Sequence, residues 1–348
     1  MVTFILLIFI LGVLIFVHEL GHFLAAKKAG VHIYEFALGF GPKLWSKVGK
    51  KDKIIYSIRM LPIGGFVQMA GEVYEDDNKI PKSKFMCNKP WLDRIMVMSA
   101  GVFNNFVLAI ILLFVFALSW GYTERRAIVG SVSEGFPAAA AGVEVGDQIL
   151  AINGKSATTW DMFTLRSVID TETKVFDILI RKTDGSEVTY KLEKQEHVEK
   201  DGTKRMVFGI DASDKKYGGF TDAIKFAFGE FSSIMGTMWF TITGLFSGTV
   251  SLKNLAGPVG MYSFVGEAAK IGISSIIYLM ALLSINLGFI NFLPFPAFDG
   301  GRVFFLIIEK IIGRPINRKF ENTMHTIFFI LLMMLMLYIT VQDIIRLF

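Results

Sequence analysis

The chain is short of cysteine, and no positive charge precedes Lys27; each shortage narrows what it can be. With Cys87 the one cysteine among 348 residues, an internal disulfide and a thiolate zinc cluster are excluded, so any metal must be held by imidazoles and carboxylates. Because cleaved secretory leaders carry Lys or Arg ahead of their apolar stretch, the N-terminal run is expected to remain as a membrane span. Charged residues make up only 19%, and the basic ones behind the net charge of +5 gather beside apolar runs. That placement fits membrane orientation and excludes nucleic acid as an expected partner. What is abundant is apolar: 53% hydrophobic residues, with 33 Phe and 16 Met, exceed what a soluble globule carries and indicate a multi-pass membrane protein.

Runs long enough to cross about 30 Å of hydrocarbon occupy residues 2–26, 95–120, 274–293 and 326–345. Lysines 43, 47, 50, 51, 53, 79, 82, 84 and 89 lie between the first two runs, and Arg302, Lys310, Arg314, Arg318 and Lys319 follow the third. By the positive-inside rule both loops are cytoplasmic, which puts both chain ends and residues 121–222 outside. The apolar stretch 224–250 contains Glu230 and four glycines, at 229, 236, 244 and 248. A fifth crossing there would place the two halves of the site described next on opposite sides, so this stretch is expected to lie in the outer interface or to re-enter it.

At the inner end of the first run stands His18-Glu19-Leu20-Gly21-His22. Residues four apart share a helix face, so both imidazoles can turn toward one zinc ion, with Glu19 beside it to take a proton from water. Water on zinc has its pKa lowered far below that of bulk water, to about 7, which is hydrolase chemistry. Ionisable groups inside an apolar helix cost about 2.5–3.5 kcal/mol each, so three together call for a compensating partner or function. Near the end of the third run, 291–301 reads NFLPFPAFDGG, a broken backbone at membrane depth that needs protein or a water-filled cavity around it. Asp299 is the expected third ligand, leaving a fourth position for water; the competing reading is an Asp-Gly turn capping the next helix.

HELGH in the first run and NFLPFPAFDGG in the third resemble the site-2 protease family of intramembrane zinc metalloproteases, in particular its bacterial regulator-of-sigma-factor branch. The family pattern has Leu-Asp-Gly where this chain has Phe298-Asp299-Gly300, a change beside the ligand and not in it. The resemblance implies a zinc endopeptidase of the bacterial cytoplasmic membrane, with its active site toward the cytosol. Its substrates would be single-pass membrane proteins, such as anti-sigma factors or remnant signal peptides, often after an upstream site-1 protease has trimmed them. By the same resemblance His18, His22 and Asp299 bind the metal, Glu19 is the catalytic base, and Asn291 holds the substrate backbone, where an amide bond between helices is the alternative.

The segment 62–69, PIGGFVQM, resembles the family's membrane-inserted β-loop, whose Gly64, Gly65, Phe66 and Val67 would pair with an unwound substrate as an added strand; a plain glycine turn is the alternative. Gly101-Val102-Phe103-Asn104-Asn105 is similar to a family motif with Gly-Pro at its start, and the substitution favours helix packing as the job of Asn105.

From 128 to about 195, the glycines and Gly146-Asp147-Gln148-Ile149 resemble a single circularly permuted PDZ domain, either binding a peptide or substrate end or acting as a lid. The expected fold is thus an α-helical multi-pass membrane protein of about four transmembrane helices, with a membrane-associated β-loop and an inserted extracytoplasmic α+β PDZ domain. Its boundaries fall at 1–124 (first two spans and β-loop), 125–196 (PDZ), 197–273 (linker and interfacial helix) and 274–348 (last two spans). His32, His197 and His325 read as ordinary polar residues. Two other classes compete: a membrane-embedded PDZ scaffold with a purely structural metal, which would not need Glu19, and a zinc transporter, which would need polar residues at successive depths, scarce in 327–339.

Overall fold

The computed structural model describes all residues except Met1, 72–79, 124–125, 171–172, 199–203, 214–215, 252–255 and 346–348. Lys79 of the basic segment and the expected boundary at 124/125 lie outside the described residues. In chain order the elements are α1 (Val2–Lys28), β1 (Ile33–Val48), β2 (Ile55–Met69), α2 (Trp91–Trp120), β3 (Tyr122–Thr123), β4 (Val129–Val132), α3 (Pro137–Ala140), β5 (Gln148–Ile152) and β6 (Lys155–Ser156). They continue with α4 (Trp160–Ile169), β7 (Val175–Arg181), β8 (Glu187–Glu193), β9 (Gln195–Val198), β10 (Lys204–Val207), β11 (Ile210–Ala212), β12 (Lys216–Tyr217) and α5 (Phe220–Ser247). Last come α6 (Pro258–Ile271), α7 (Ile273–Phe292), α8 (Asp299–Ile312) and α9 (Arg318–Ile345). The chain divides into two compact units, residues 1–112 with 253–348 and residues 113–252.

Among the described residues, four helices are long and apolar enough to cross a membrane: Val2–Lys28, Trp91–Trp120, Ile273–Phe292 and Lys319–Ile345. They coincide with the four apolar runs, because in hydrocarbon a helix satisfies every backbone group within itself. α5 has the length to span but is not one of the four.

In the first unit, Ile10 and Leu14 of α1 are fully buried against Val265 of α6 and Leu108 of α2. Toward the other end of α1, Phe23 and Ala26 pack with Ile33, Phe36 and Val67 of the sheet, Val97 and Met98 of α2, and Leu306 of α8. β1 and β2 each fold back, so that 33–38 pairs with 65–69 on one side and with 55–58 on the other, while 45–48 pairs with 55–58. Gly39 and Gly41 make the reversal possible, with φ of +88° and +82°; a Cβ at Gly39 would lie 2.7 Å from the Leu61 carbonyl oxygen. The register leaves 65–69 as an outer strand, paired along one edge.

In the second unit the sheet order is β6-β5-β7-β8, all antiparallel. β7 alternates strictly, burying Phe176, Ile178 and Ile180 against Phe163 of α4, Leu192 of β8 and Phe208. Thr159 caps α4 by accepting the Met162 N–H at 3.4 Å. Oδ2 of the buried Asp147 carboxylate pairs with Lys182 at 2.9 Å and accepts from the Glu144 N–H at 2.9 Å. Residues 204–217, expected to be linker, include three strands: β10 pairs β9, β11 pairs β4 and β12 pairs β3.

Candidate active site

α1 is unbroken through His18 and His22, so its periodicity alone puts the two rings on one face, where both are buried. The opposite wall depends on the break after α7. The chain leaves the helix at Leu293, turns through Pro294–Phe298 and restarts with Asp299 as the first residue of α8. A Cβ at Gly300 would fall 2.5 Å from the Leu293 carbonyl oxygen, and one at Gly301 would fall 2.7 Å from Pro296 Cα, so only glycine lets the turn fold down onto the new helix. A carboxylate at that position also faces the positive end of the helix dipole.

These elements bring three atoms together: His18 Nε2 and His22 Nε2 are 3.2 Å apart, and Asp299 Oδ2 lies 3.0 and 3.1 Å from them. A tetrahedral zinc with bonds of about 2.0–2.2 Å holds its ligands about 3.3 Å from one another, so the triangle fits the ion. The protons fit as well. The Val97 carbonyl accepts from His22 Nδ1 at 2.8 Å, so the neutral ring presents Nε2 as a lone pair. The space beside the pair is kept open by Gly101 of α2, where a Cβ would sit 2.8 Å from His18 Nε2. Gly21 lets the two helices approach, since its Cβ position is 3.0 Å from Gly101 Cα.

Asn105 belongs to this group, contrary to the packing role its motif suggests. It is fully buried, its Nδ2 is 3.1 Å from His18 Nδ1, and its Oδ1 has no hydrogen-bond partner. With His18 Nε2 on a metal, Nδ1 keeps its proton and must donate it. A half-turn of the Asn105 amide then supplies Oδ1 as acceptor and satisfies the orphaned atom in the same move. Neighbouring Asn104 donates to the Val17 carbonyl at 3.2 Å, tying α2 to α1 just before the motif.

A cavity of 210 Å³ opens on the triad, lined also by Glu19, Phe66, Val67, Met69, Arg302 and His325. Glu19 faces the sheet: a Cβ at Gly65 would be 3.0 Å from Glu19 Cγ and 3.0 Å from the Ala37 carbonyl oxygen, which leaves that stretch of strand bare to the cavity. Gly64 is needed on the other side, where Phe40 stacks with Phe66 at 6.2 Å and fills the place a side chain would take. The base of the sheet is pinned by Glu35, which accepts from the Ser57 hydroxyl at 2.5 Å and pairs with Arg59 and Lys43, each at 2.9 Å. Burial pushes its pKa up, but these three donors outweigh it and hold the carboxyl below its ordinary range.

The structure therefore gathers His18, Glu19, His22, Phe66, Val67 and Asp299 around one cavity. Asn291, half-buried in the last turn of α7, does not line it. His325 and Arg302 do, and neither stood out in the sequence. Arg302 is one helical turn beyond Asp299, a spacing that could have flagged it; His325 comes from α9, and no local pattern points to it.

Similar proteins are bacterial metalloproteases by name. A Fusobacterium nucleatum protein named as a candidate zinc metalloprotease is 38% identical over 350 residues, covering 99% of each chain. The regulator of sigma-W protease RasP of Bacillus subtilis is 32% identical over 425 residues, and the zinc metalloprotease RasP of Bacillus licheniformis is 32% identical over 433, each match covering 99% of both chains. The profile of peptidase family M50 matches residues 6–335, and the chain belongs to that family.

Proposed function

We propose that this metalloprotease is a zinc endopeptidase that cuts membrane-spanning segments of single-pass membrane proteins. The observation that carries the reading is the convergence of His18, His22 and Asp299 with Glu19 in one cavity toward the C-terminal end of an apolar helix. The names of the relatives support zinc as the metal. Zinc bound in this site would supply Lewis acidity toward the scissile carbonyl and lower the pKa of a water. His18, His22 and Asp299 would hold it, with Asn105 and the Val97 carbonyl fixing the two rings. Glu19 takes a proton from the attacking water as its oxygen bonds to the carbonyl carbon. It then gives that proton to the departing amide nitrogen as the C–N bond breaks. A structural zinc site closes with four protein ligands and has no use for a base beside it, whereas this one offers three.

A helical substrate hides its peptide bonds, so it must be drawn out before it can be cut. The outer strand 65–69 runs along the cavity and offers the edge for that, with Gly64, Gly65, Phe66 and Val67 pairing to the extended chain. Asn291, outside the cavity lining, is given the role of holding the approaching backbone by the family resemblance alone. The sheet of the second unit, with Gly146-Asp147 at its start, is read as a PDZ domain outside the membrane that admits or recognises substrates already trimmed by another protease. The active site then faces the cytosol of a bacterial inner membrane, and the name of the Bacillus subtilis relative favours regulators of sigma factors as substrates.

Purified in detergent with a single-pass reporter helix, Glu19→Gln should retain one zinc per chain and lose cleavage by about 10²–10⁴-fold, the contribution of a general base. Cleavage at the wild-type rate would overturn the mechanism.

A further inference from the structure

A second cavity, of 510 Å³, adjoins the first, and Met98, Arg302 and His325 line both. Its walls are charged. Arg94 of α2 holds Glu309 of α8 through two bonds, at 2.7 and 3.2 Å, and Glu321 pairs with His325 on α9 at 3.9 Å. The proposed mechanism uses none of these pairs.

The outer strand connects the two spaces. Phe66, Val67 and Met69 line the active-site cavity, and Gly71 lines the second. The strand itself ends between them: the Ala70 N–H donates to the His32 carbonyl at 2.9 Å, the Ala70 carbonyl accepts from the Met86 N–H at 2.7 Å, and Gly71 turns away with φ of +77°. Cys87 marks that point: a Cβ at Gly71 would lie 3.1 Å from its Sγ. A chain added to 65–69 must leave the sheet there, with the charged cavity ahead of it.

We infer that the second cavity is an extended substrate subsite, which takes a hydrophilic, charged segment of the substrate about five to seven residues from the scissile bond. The count follows from strand pairing, which is residue for residue at about 3.3 Å each, between Gly65 over Glu19 and Gly71. The chemistry follows from the walls. Two arginines and two glutamates offer partners to side chains of either sign, while an apolar segment would strip water from both ion pairs without replacing it. This rests on the reading of 65–69 as the edge that the substrate joins.

The native cysteine serves as a ruler. In the Glu19→Gln protein, a reporter helix carrying single cysteines along its hydrophilic flank is oxidised, and its disulfides to Cys87 are mapped against the bond that the wild type cuts. A second ruler, Val67→Cys in a Cys87→Ser background, reports the edge itself. Cys87 is expected to link substrate positions about five to seven residues from the bond several-fold better than nearer ones, and the Val67→Cys protein to link those within about two. Linkage to the Val67→Cys protein with none at Cys87, or Cys87 linkage equal at all positions, overturns the subsite and leaves the edge reading intact. No linkage with either ruler overturns both; linkage at Cys87 alone overturns the edge, and with it the subsite as placed by strand pairing. Leucines in place of the polar flank residues should reduce the Cys87 link several-fold, and an undiminished yield would refute the preference for charge.

Discussion

The two walls of the proposed metal site are built in opposite ways. His18 and His22 lie on a continuous helix, where their spacing follows from 3.6 residues per turn and needs nothing beyond α1. Asp299 lies 277 residues from His22, after a helix that ends, a turn with two prolines and a restart made possible by two glycines. The first wall is set by local geometry, and the second by how α2, α7 and α8 pack. Substitutions in α1 should therefore act through the ligands themselves, while substitutions on the packing side should act by moving or crowding them.

Gly101→Ala should show this most strongly. Alanine is the better helix former by about 1 kcal/mol, so α2 on its own would gain stability. The added Cβ would meet both imidazoles, and zinc content and cleavage should collapse together, measured by metal analysis and a reporter assay. A fully active, zinc-loaded Gly101→Ala would show that the packing side tolerates more than this comparison allows.

Asn105→Ala should have a smaller effect, about 10–100-fold in zinc affinity, the usual cost of removing a partner behind a metal-bound histidine. Competition with a chelator would measure it, and Asn105→Asp should recover part of the loss, because a carboxylate also accepts from His18 Nδ1. An affinity unchanged in Asn105→Ala would return the residue to plain helix packing.

The smallest effect is expected at the base of the sheet. Glu35 has its pKa lowered on folding, so its contribution is present above the unfolded value of about 4.3 and is lost as pH falls through the folded one. Amide protection of 33–38 and 55–69, corrected for intrinsic exchange, should stay level from about pH 8 to 6 and decline below about pH 4. Glu35→Gln should flatten that dependence; an unchanged profile would mean that the sheet is held elsewhere.

The four spans were legible in the sequence because hydrocarbon demands long apolar helices, and the HELGH face because a helix has a fixed period. Asp299 could be anticipated from a broken backbone that had to be shielded at membrane depth. What escaped was whatever depended on contacts between distant segments. Asn105 reaches His18 across 87 positions, and His325 enters the cavity from the last helix. The strands within 204–217 are short and polar, so their pairing with β3, β4 and β9 leaves no periodic trace. α6 is 14 residues long, too short to register as a span, yet its Val265 is fully buried against Ile10 and Leu14 of α1.

Zinc K-edge absorption on the purified protein in detergent, wild type beside Asp299→Ala, addresses the metal site most directly. One zinc per chain is expected, bound by two imidazole nitrogens and a carboxylate oxygen, with the oxygen contribution reduced and zinc more weakly held once Asp299 is removed. A sulfur ligand, or a spectrum and zinc content identical in the two proteins, would contradict the account.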